Sequence, residues 1–286
     1  CTFSFFTCRL VPSESFTVVI VVLLISVTSL FCACDDIVKI NDTIVPLETN
    51  GRIFVIGIGK CSLEAALEIE QIFGERITDG GVIDVEHREP LKRLRFYLGD
   101  HPLPTENNIN ATRAIIELLS QVNQDDLVIF IISGGGSAFL CQPESNTCLE
   151  EVMVEKFLFR VGATIEQLNT VRKHLSLARG GYLAKYAYPA RVVSLIFSDV
   201  PGNDIGVIAS GPTVLDQTTI EDAKRVIGAC DNNDECGLIL KHLIGLMKPD
   251  TGSVLIDEED MTKLYGSKLY RKLLDVGMIF QGGALF

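Results

Sequence analysis

The chain has 286 residues, nearly half of them hydrophobic, and a formal net charge of −12. That length allows one large domain or two ordinary ones, with enough apolar side chains for a sizeable core. An acidic surface repels phosphate backbones, so nucleic acid is excluded as the main partner, and an anionic substrate would need a local basic site.

Residues 16–34, FTVVIVVLLISVTSLFCAC, form an uncharged apolar run. It is about as long as a bilayer-crossing helix, for which roughly 20 apolar residues are needed. The run is therefore expected as an apolar helix, and membrane contact through it is one reading. A signal-peptide core is another, although Arg9 is offset by Glu14. Sequence not native to the rest of the fold is a third, and residues 1–35 are set apart as a segment of their own.

Residues 36–47 alternate around Asn41-Asp42 and predict a short hairpin. Residues 52–58 (RIFVIGI) are continuously apolar, the pattern of a strand buried on both faces. Ser62 then opens an amphipathic helix that Gly74 closes. Strands are expected at 80–85 and 94–98, followed by the loop Gly99-Asp100-His101-Pro102-Leu103-Pro104. A helix is expected over 108–122, a strand over 127–132 (LVIFII), a helix over 150–161 and a strand over 192–197. Alternating strands and helices imply a mainly parallel, Rossmann-like layered α/β sheet with helices on both faces. Ligands of such sheets bind beyond the strand C-termini, and the polar motifs fall at those ends.

Ser133, Gly134, Gly135, Gly136 and Ser137 directly follow the 127–132 strand. Successive glycines allow positive φ and gather backbone N–H groups into an anion-binding nest. A tight turn without a ligand is the plainer alternative. Gly57-Ile58-Gly59-Lys60 also ends a strand, but Ser62 stands where a dinucleotide fingerprint needs its third glycine. Lys60 either neutralises a phosphoryl oxygen or is a solvated surface lysine. Arg172, Lys173 and His174 are consecutive, a basic cluster suited to carboxylate or phosphate or else simply solvated. Asp199 and Asp204 follow the 192–197 strand, as metal ligands, as a proton acceptor, or as turn formers. Ser210, Gly211 and Thr213 belong to a further rigid polar turn, Gly180-Gly181 imply close backbone approach, and His101 reads as a loop-ordering residue. The nine cysteines form no CxxC pair and no zinc-type cluster, which reads as a reduced, cytoplasmic protein.

The stretches IGIGKCS, GDHPLPTENN, DDLVIFIISGGGSAFL, VGATIEQLNTVRKHLSLARGGYLAK and VVSLIFSDVPGNDIGVIASGPTVLD occur in that order. Together they make residues 36–230 resemble the large domain of glycerate 2-kinases. The resemblance implies phosphoryl transfer from ATP to D-glycerate with Mg²⁺. It implies catalytic roles for Lys60, Arg172 and Asp199, and a metal at Asp199 and Asp204. Substrate or phosphate binding falls to Ser133, Gly134, Gly135, Gly136, Ser137, Asn169, Lys173, Ser210, Gly211 and Thr213. Two departures accompany it: Asn203 stands where the family usually has a second aspartate, and the family's smaller C-terminal domain has no counterpart after residue 237. Residues 237–286 instead resemble part of an ABC-transporter ATPase, from the helix after Walker A to a Q-loop glutamine at Gln281. Walker A itself is missing there. The chain thus reads as a kinase-like domain of doubtful activity, with a binding-only remnant, a chimera or a fragment of an ABC-transporter ATPase subunit as alternatives.

Overall fold

The computed structural model describes residues 43–229 apart from 49, 87–89, 144–146, 199 and 201. Outside that body it describes short strands near the N-terminus and residues 255–256, 259–260 and 263–264. In chain order the strands are β1 (Ser4–Cys8), β2 (Val18–Leu23), β3 (Phe31–Cys34), β4 (Ile37–Ile40), β5 (Thr43–Pro46), β6 (Ile53–Ile58), β7 (Ile77–Asp84), β8 (Arg95–Leu98), β9 (Leu127–Ile132), β10 (Arg191–Phe197), β11 (Leu255–Ile256) and β12 (Glu259–Asp260). The helices are α1 (Ser62–Phe73), α2 (Glu106–Leu119), α3 (Gly136–Phe139), α4 (Cys148–Arg160), α5 (Ile165–Leu175), α6 (Tyr182–Tyr186) and α7 (Ile220–Ala229).

Seven strands make one sheet in the order β1-β2-β10-β9-β6-β7-β8. Every pairing from β2 to β8 is parallel, and only β1 runs antiparallel. The mainly parallel α/β architecture expected from the sequence is therefore the one found. Side chains alternate between the two faces. Phe54, Ile56, Ile58, Val128, Phe130 and Ile132 pack with α2 and α6. Ile53, Val55, Leu127, Ile129 and Ile131 pack with α1. Both faces are thus dry, which is why β6 and β9 read as unbroken apolar runs. Val154 and Leu158 of α4, Leu168 and Val171 of α5 and Ala223 of α7 form a separate helical cluster.

The predicted hairpin is present, with β4 and β5 antiparallel and Ile40 opposite Thr43. Among the described residues of the N-terminal run no helix occurs. Within residues 16–34 the described stretches are strands, β2 beside β10 and β3 beside β4. The run is rich in β-branched valine and isoleucine, whose restricted χ1 favours the pleated sheet over the helix. Among the described residues no helix is long and apolar enough to cross a membrane. Of the tail, expected as a short α/β fragment, the described part is the two-residue ladder of β11 and β12, Lys263 and Leu264. The rest of residues 237–286, Gln281 included, lies outside the described residues.

Helices α2 and α4 begin earlier than apolar periodicity indicates, and α5 stands where no helix was expected; each is fixed by a capping box. Thr105 caps α2 with Asn108, Thr147 caps α4 with Glu150, and Thr164 caps α5 with Gln167. Each threonine accepts from the first helical turn while the third residue bonds back, so two orphan N–H groups are satisfied together.

Candidate functional site

The chain leaves β6 toward β7 and β8 on one side, then returns to β9 and β10 on the other. The reversal opens a crevice between the C-terminal ends of β6 and β9, the place where open parallel sheets bind ligands. The Gly59-Lys60 turn and the glycine loop meet there. Ser133 N donates to Ile58 O at 2.9 Å, Lys60 N to Gly134 O at 3.1 Å and Cys61 N to Ser133 Oγ at 3.2 Å. Gly59 has φ +122°, and a Cβ on it would overlap Ser133 Oγ and lie 2.7 Å from Ser133 O. Only glycine lets the two turns close on each other.

Gly135 has φ +84° and precedes the single turn of α3. A Cβ placed there would lie 3.2 Å from Lys60 Cγ and Cε and 3.1 Å from His101 Cδ2. The Lys60 stem and the His101 imidazole therefore converge over Gly135. Lys60 is exposed, so its ammonium is available to a ligand. His101 is exposed on its outer side, yet its pKa lies below the ordinary histidine value: partial desolvation of the ring lowers it first, and the positive charges of Lys60 and Arg172 add to that. A histidine so placed is neutral at pH 7.

Behind the loop runs a polar chain. Ser137 Oγ and Ser210 Oγ are 2.9 Å apart, and Ser210 Oγ donates to Asn169 Oδ1 at 2.9 Å. Ser210 is fully buried with φ +59°, and Ala209 before it has φ +52°. Left-handed backbone in two consecutive non-glycine residues is strained, and strain of this kind clusters at functional sites. Gly136 leaves just enough room, since a Cβ on it would be 2.7 Å from Ala209 Cβ. Arg179, entirely buried, donates from Nη2 to Ser137 O at 2.6 Å and from Nη1 to Arg172 O at 3.3 Å, and pairs with buried Glu151. One guanidinium thus joins the glycine loop to α4 and α5.

The sequence-selected residues divide into two sets. Lys60, Ser133, Gly134, Gly135, Gly136, Ser137, Asn169 and Ser210 come together at the crevice. Arg172 lies near enough to act on His101, but its Nε and Nη2 each donate at 2.7 Å to Glu155. Lys173 points away to Asp216, at 3.3 Å, and borders a cavity of about 380 Å³ with His174, Tyr182 and Thr218. Thr213 is buried and accepts from Ser194 Oγ of β10 at 2.9 Å, so it anchors the turn rather than facing the crevice. Gly211, at φ +58°, packs its Cα side against Gly206 and accepts from Gly181 N at 2.8 Å, the close approach that the glycine pair implies. Asp199 lies outside the described residues. Asp204 is exposed, and its Oδ1 accepts from Gly206 N at 2.8 Å. Among the described residues no group of three metal-ligating side chains gathers. Asp204 keeps one free carboxylate oxygen, which fits the one or two protein carboxylates that Mg²⁺ takes when substrate phosphates complete its shell.

His101 is the residue that sequence reasoning set aside. The legible signal was its place in a Gly-Asp-His-Pro loop directly after a parallel strand, where ligand-binding loops belong.

A family model described as "Domain of unknown function (DUF4147)" matches residues 27–242. The chain belongs to the DUF4147 family. The matched stretch begins inside the 1–35 segment and ends inside the 237–286 segment, so it crosses both expected boundaries. Within and around this family, the D-glycerate 2-kinase of Thermotoga maritima is 41% identical over 179 residues, covering 62% of this chain and 43% of its own length. A protein of Agrobacterium vitis named as a hydroxypyruvate reductase is 43% identical over 179 residues, with 62% and 46% covered. The crystal structure of a glycerate kinase from Thermotoga maritima superposes with a TM-score of 0.62 at 36% identity, covering 66% of this chain and 46% of that one. The chain spans less than half the length of the curated relatives it matches. Its similarity to glycerate kinases in sequence and fold confirms the family resemblance of the central region.

Proposed function

We propose that the crevice binds the phosphate groups of ATP and a small hydroxy acid such as D-glycerate, and that the protein transfers a phosphoryl group between them. The observation that supports this most is the convergence of Lys60 over Gly135, in a glycine loop at the reversal point of the sheet. Phosphoryl transfer needs positioning and charge neutralisation more than covalent chemistry. In this reading the N–H groups of residues 134–136 cradle phosphate, and Lys60 neutralises its developing charge. Arg172, released from Glu155, would take the substrate carboxylate. Mg²⁺, when bound through phosphates, would be joined by Asp204 and by Asp199, and would supply further charge neutralisation.

Two relatives at similar identity carry different activity names, so the crevice itself has to discriminate. A nicotinamide-dependent reductase would need the third glycine of a dinucleotide fingerprint, and Ser62 occupies that position with its Oγ donating to Ile83 O at 3.0 Å. A second reading is ligand binding without turnover, favoured by the two-pronged engagement of Arg172 Nε and Nη2 with Glu155. Coupled detection of ADP from ATP and D-glycerate decides between them. Turnover is expected, falling by roughly 10²-fold or more in Lys60→Ala. Calorimetric binding of ATP or D-glycerate without ADP release would support the binding-only reading instead, and no binding at all would refute both.

A further inference from the structure

We infer that His101 accepts the proton of the attacking hydroxyl when a phosphoryl group held by the glycine loop is transferred. The inference rests on the phosphotransferase reading above and assigns its general base.

The loop carrying His101 is built to hold a position. Asn108, fully buried, accepts on Oδ1 from Asp100 N at 3.1 Å and Thr105 N at 2.9 Å. Its Nδ2 donates to Asp100 O and to Ala138 O, both at 2.9 Å. The second of these bonds ties the residue preceding His101 to α3, the turn that follows the glycine nest. Gly99 N donates to Asp84 O at 2.9 Å, which fixes the other end of the loop to β7. The imidazole is placed against Phe139 of α3, with ring centroids 6.1 Å apart, and its Cδ2 faces Gly135.

The charged groups facing the imidazole are Lys60 from the β6 turn and Arg172 from α5. Asp100, beside it in sequence, spends its carboxylate on Thr105 Oγ1 and Asn107 Nδ2. Among the described residues no carboxylate forms an ion pair with His101. A neutral imidazole has an unprotonated nitrogen to offer. The proton balance is simple. The acceptor oxygen bonds to the γ-phosphorus, the bond from phosphorus to the β–γ bridging oxygen breaks with its electron pair leaving on ADP, and the hydroxyl proton passes to the imidazole. Water then takes it up. The positive charge of Lys60 keeps the free imidazole unprotonated at neutral pH, and anionic phosphate, by offsetting that charge, makes it a stronger base.

The test is a proton-NMR titration of the full chain's four histidines, with His101 assigned by its loss in His101→Gln, with and without saturating inorganic phosphate. The free imidazole is expected to titrate below the ordinary value of about 6.5, and bound phosphate to move it upward by roughly one unit. His101→Gln is expected to lower turnover of D-glycerate by on the order of 10²- to 10⁴-fold at little change in KM for ATP, and to remove the acid limb of the pH–rate profile. Phosphate that binds by calorimetry without moving the His101 titration overturns this inference alone. So does a His101→Gln variant with wild-type turnover and an intact acid limb. Failure of phosphate to bind overturns both this inference and the reading beneath it.

Discussion

Gly59 and Gly74 make a controlled pair, because both adopt positive φ but only one is crowded. Gly74 ends α1 at φ +51°, and a Cβ there would meet nothing within 4 Å. Gly74→Ala therefore carries the conformational penalty alone, about 1–3 kcal/mol. In a body of this size that is a fall of about 2–12 °C in Tm. Gly59→Ala carries a conformational penalty of similar order at φ +122° and more. The new methyl would overlap Ser133 Oγ and press on the Ser133 backbone, which is itself held by Ile58 O. Relief means parting the two turns, with the loss of the Lys60–Gly134 and Cys61–Ser133 hydrogen bonds at about 1 kcal/mol each. With overpacking of about 1–3 kcal/mol, the total is about 4–8 kcal/mol. Urea titrations of the two variants, followed by circular dichroism, measure the difference. Phosphate calorimetry on each then asks whether Gly74→Ala binds as wild type while Gly59→Ala does not. Equal destabilisation of the two would refute the claim that close approach of the turns, rather than backbone conformation, makes Gly59 necessary.

Ser210→Ala should cost about 1–3 kcal/mol, since Ser137 and Asn169 both lose a buried partner. Ser210→Gly loses the same bonds but relieves φ +59°, and should melt higher than Ser210→Ala by the equivalent of about 1 kcal/mol. Asp126 is fully buried; burial alone would raise its carboxyl, but hydrogen bonds from Arg52 and Asn123 outweigh that and hold it below the usual range. A depressed carboxylate contributes stability that is complete above its unfolded value of about 3.9 and is lost as pH falls through the folded value. Asp126→Asn should therefore lower the urea midpoint at pH 7, by the equivalent of about 1–3 kcal/mol, and differ less from wild type at pH 3.

The sheet was readable because its central strands are dry on both faces, so β6 and β9 announce themselves as unbroken apolar runs and β10 as one broken by Ser194. Glycine runs at strand ends marked the crevice for the same kind of reason: positive φ leaves a residue signature. The N-terminal run misled because length and hydropathy describe a membrane helix and a sheet strand alike, and only β-branching separates them. Helix α5 was hidden, since its last turn is Arg172-Lys173-His174 and reads as a charge cluster before it reads as a helix end. That placement also suits the negative end of the helix dipole. Which of two adjacent cations faces the crevice could not be read from spacing; Glu155 and Asp216, both remote in sequence, draw Arg172 and Lys173 apart. His101 was missed because its role comes from Gly135, which only the crossover connection brings beside it.

The bonds that close the crevice also say when it can form. Cys61 reaches Ser133 across 72 residues and Ser137 reaches Ser210 across 73, while at the opposite end of the same strands Arg52 reaches Asp126 across 74. None can appear before the intervening chain has surrendered its loop-closure entropy, and folds dominated by such distant pairings are slow. Helices α2 and α4 can flicker into place early from their own capping boxes and apolar faces. The phosphate cradle has no local nucleus of this kind, so pulse-labelled hydrogen exchange during refolding should find the amides of residues 133–137 protected only after those of the helices.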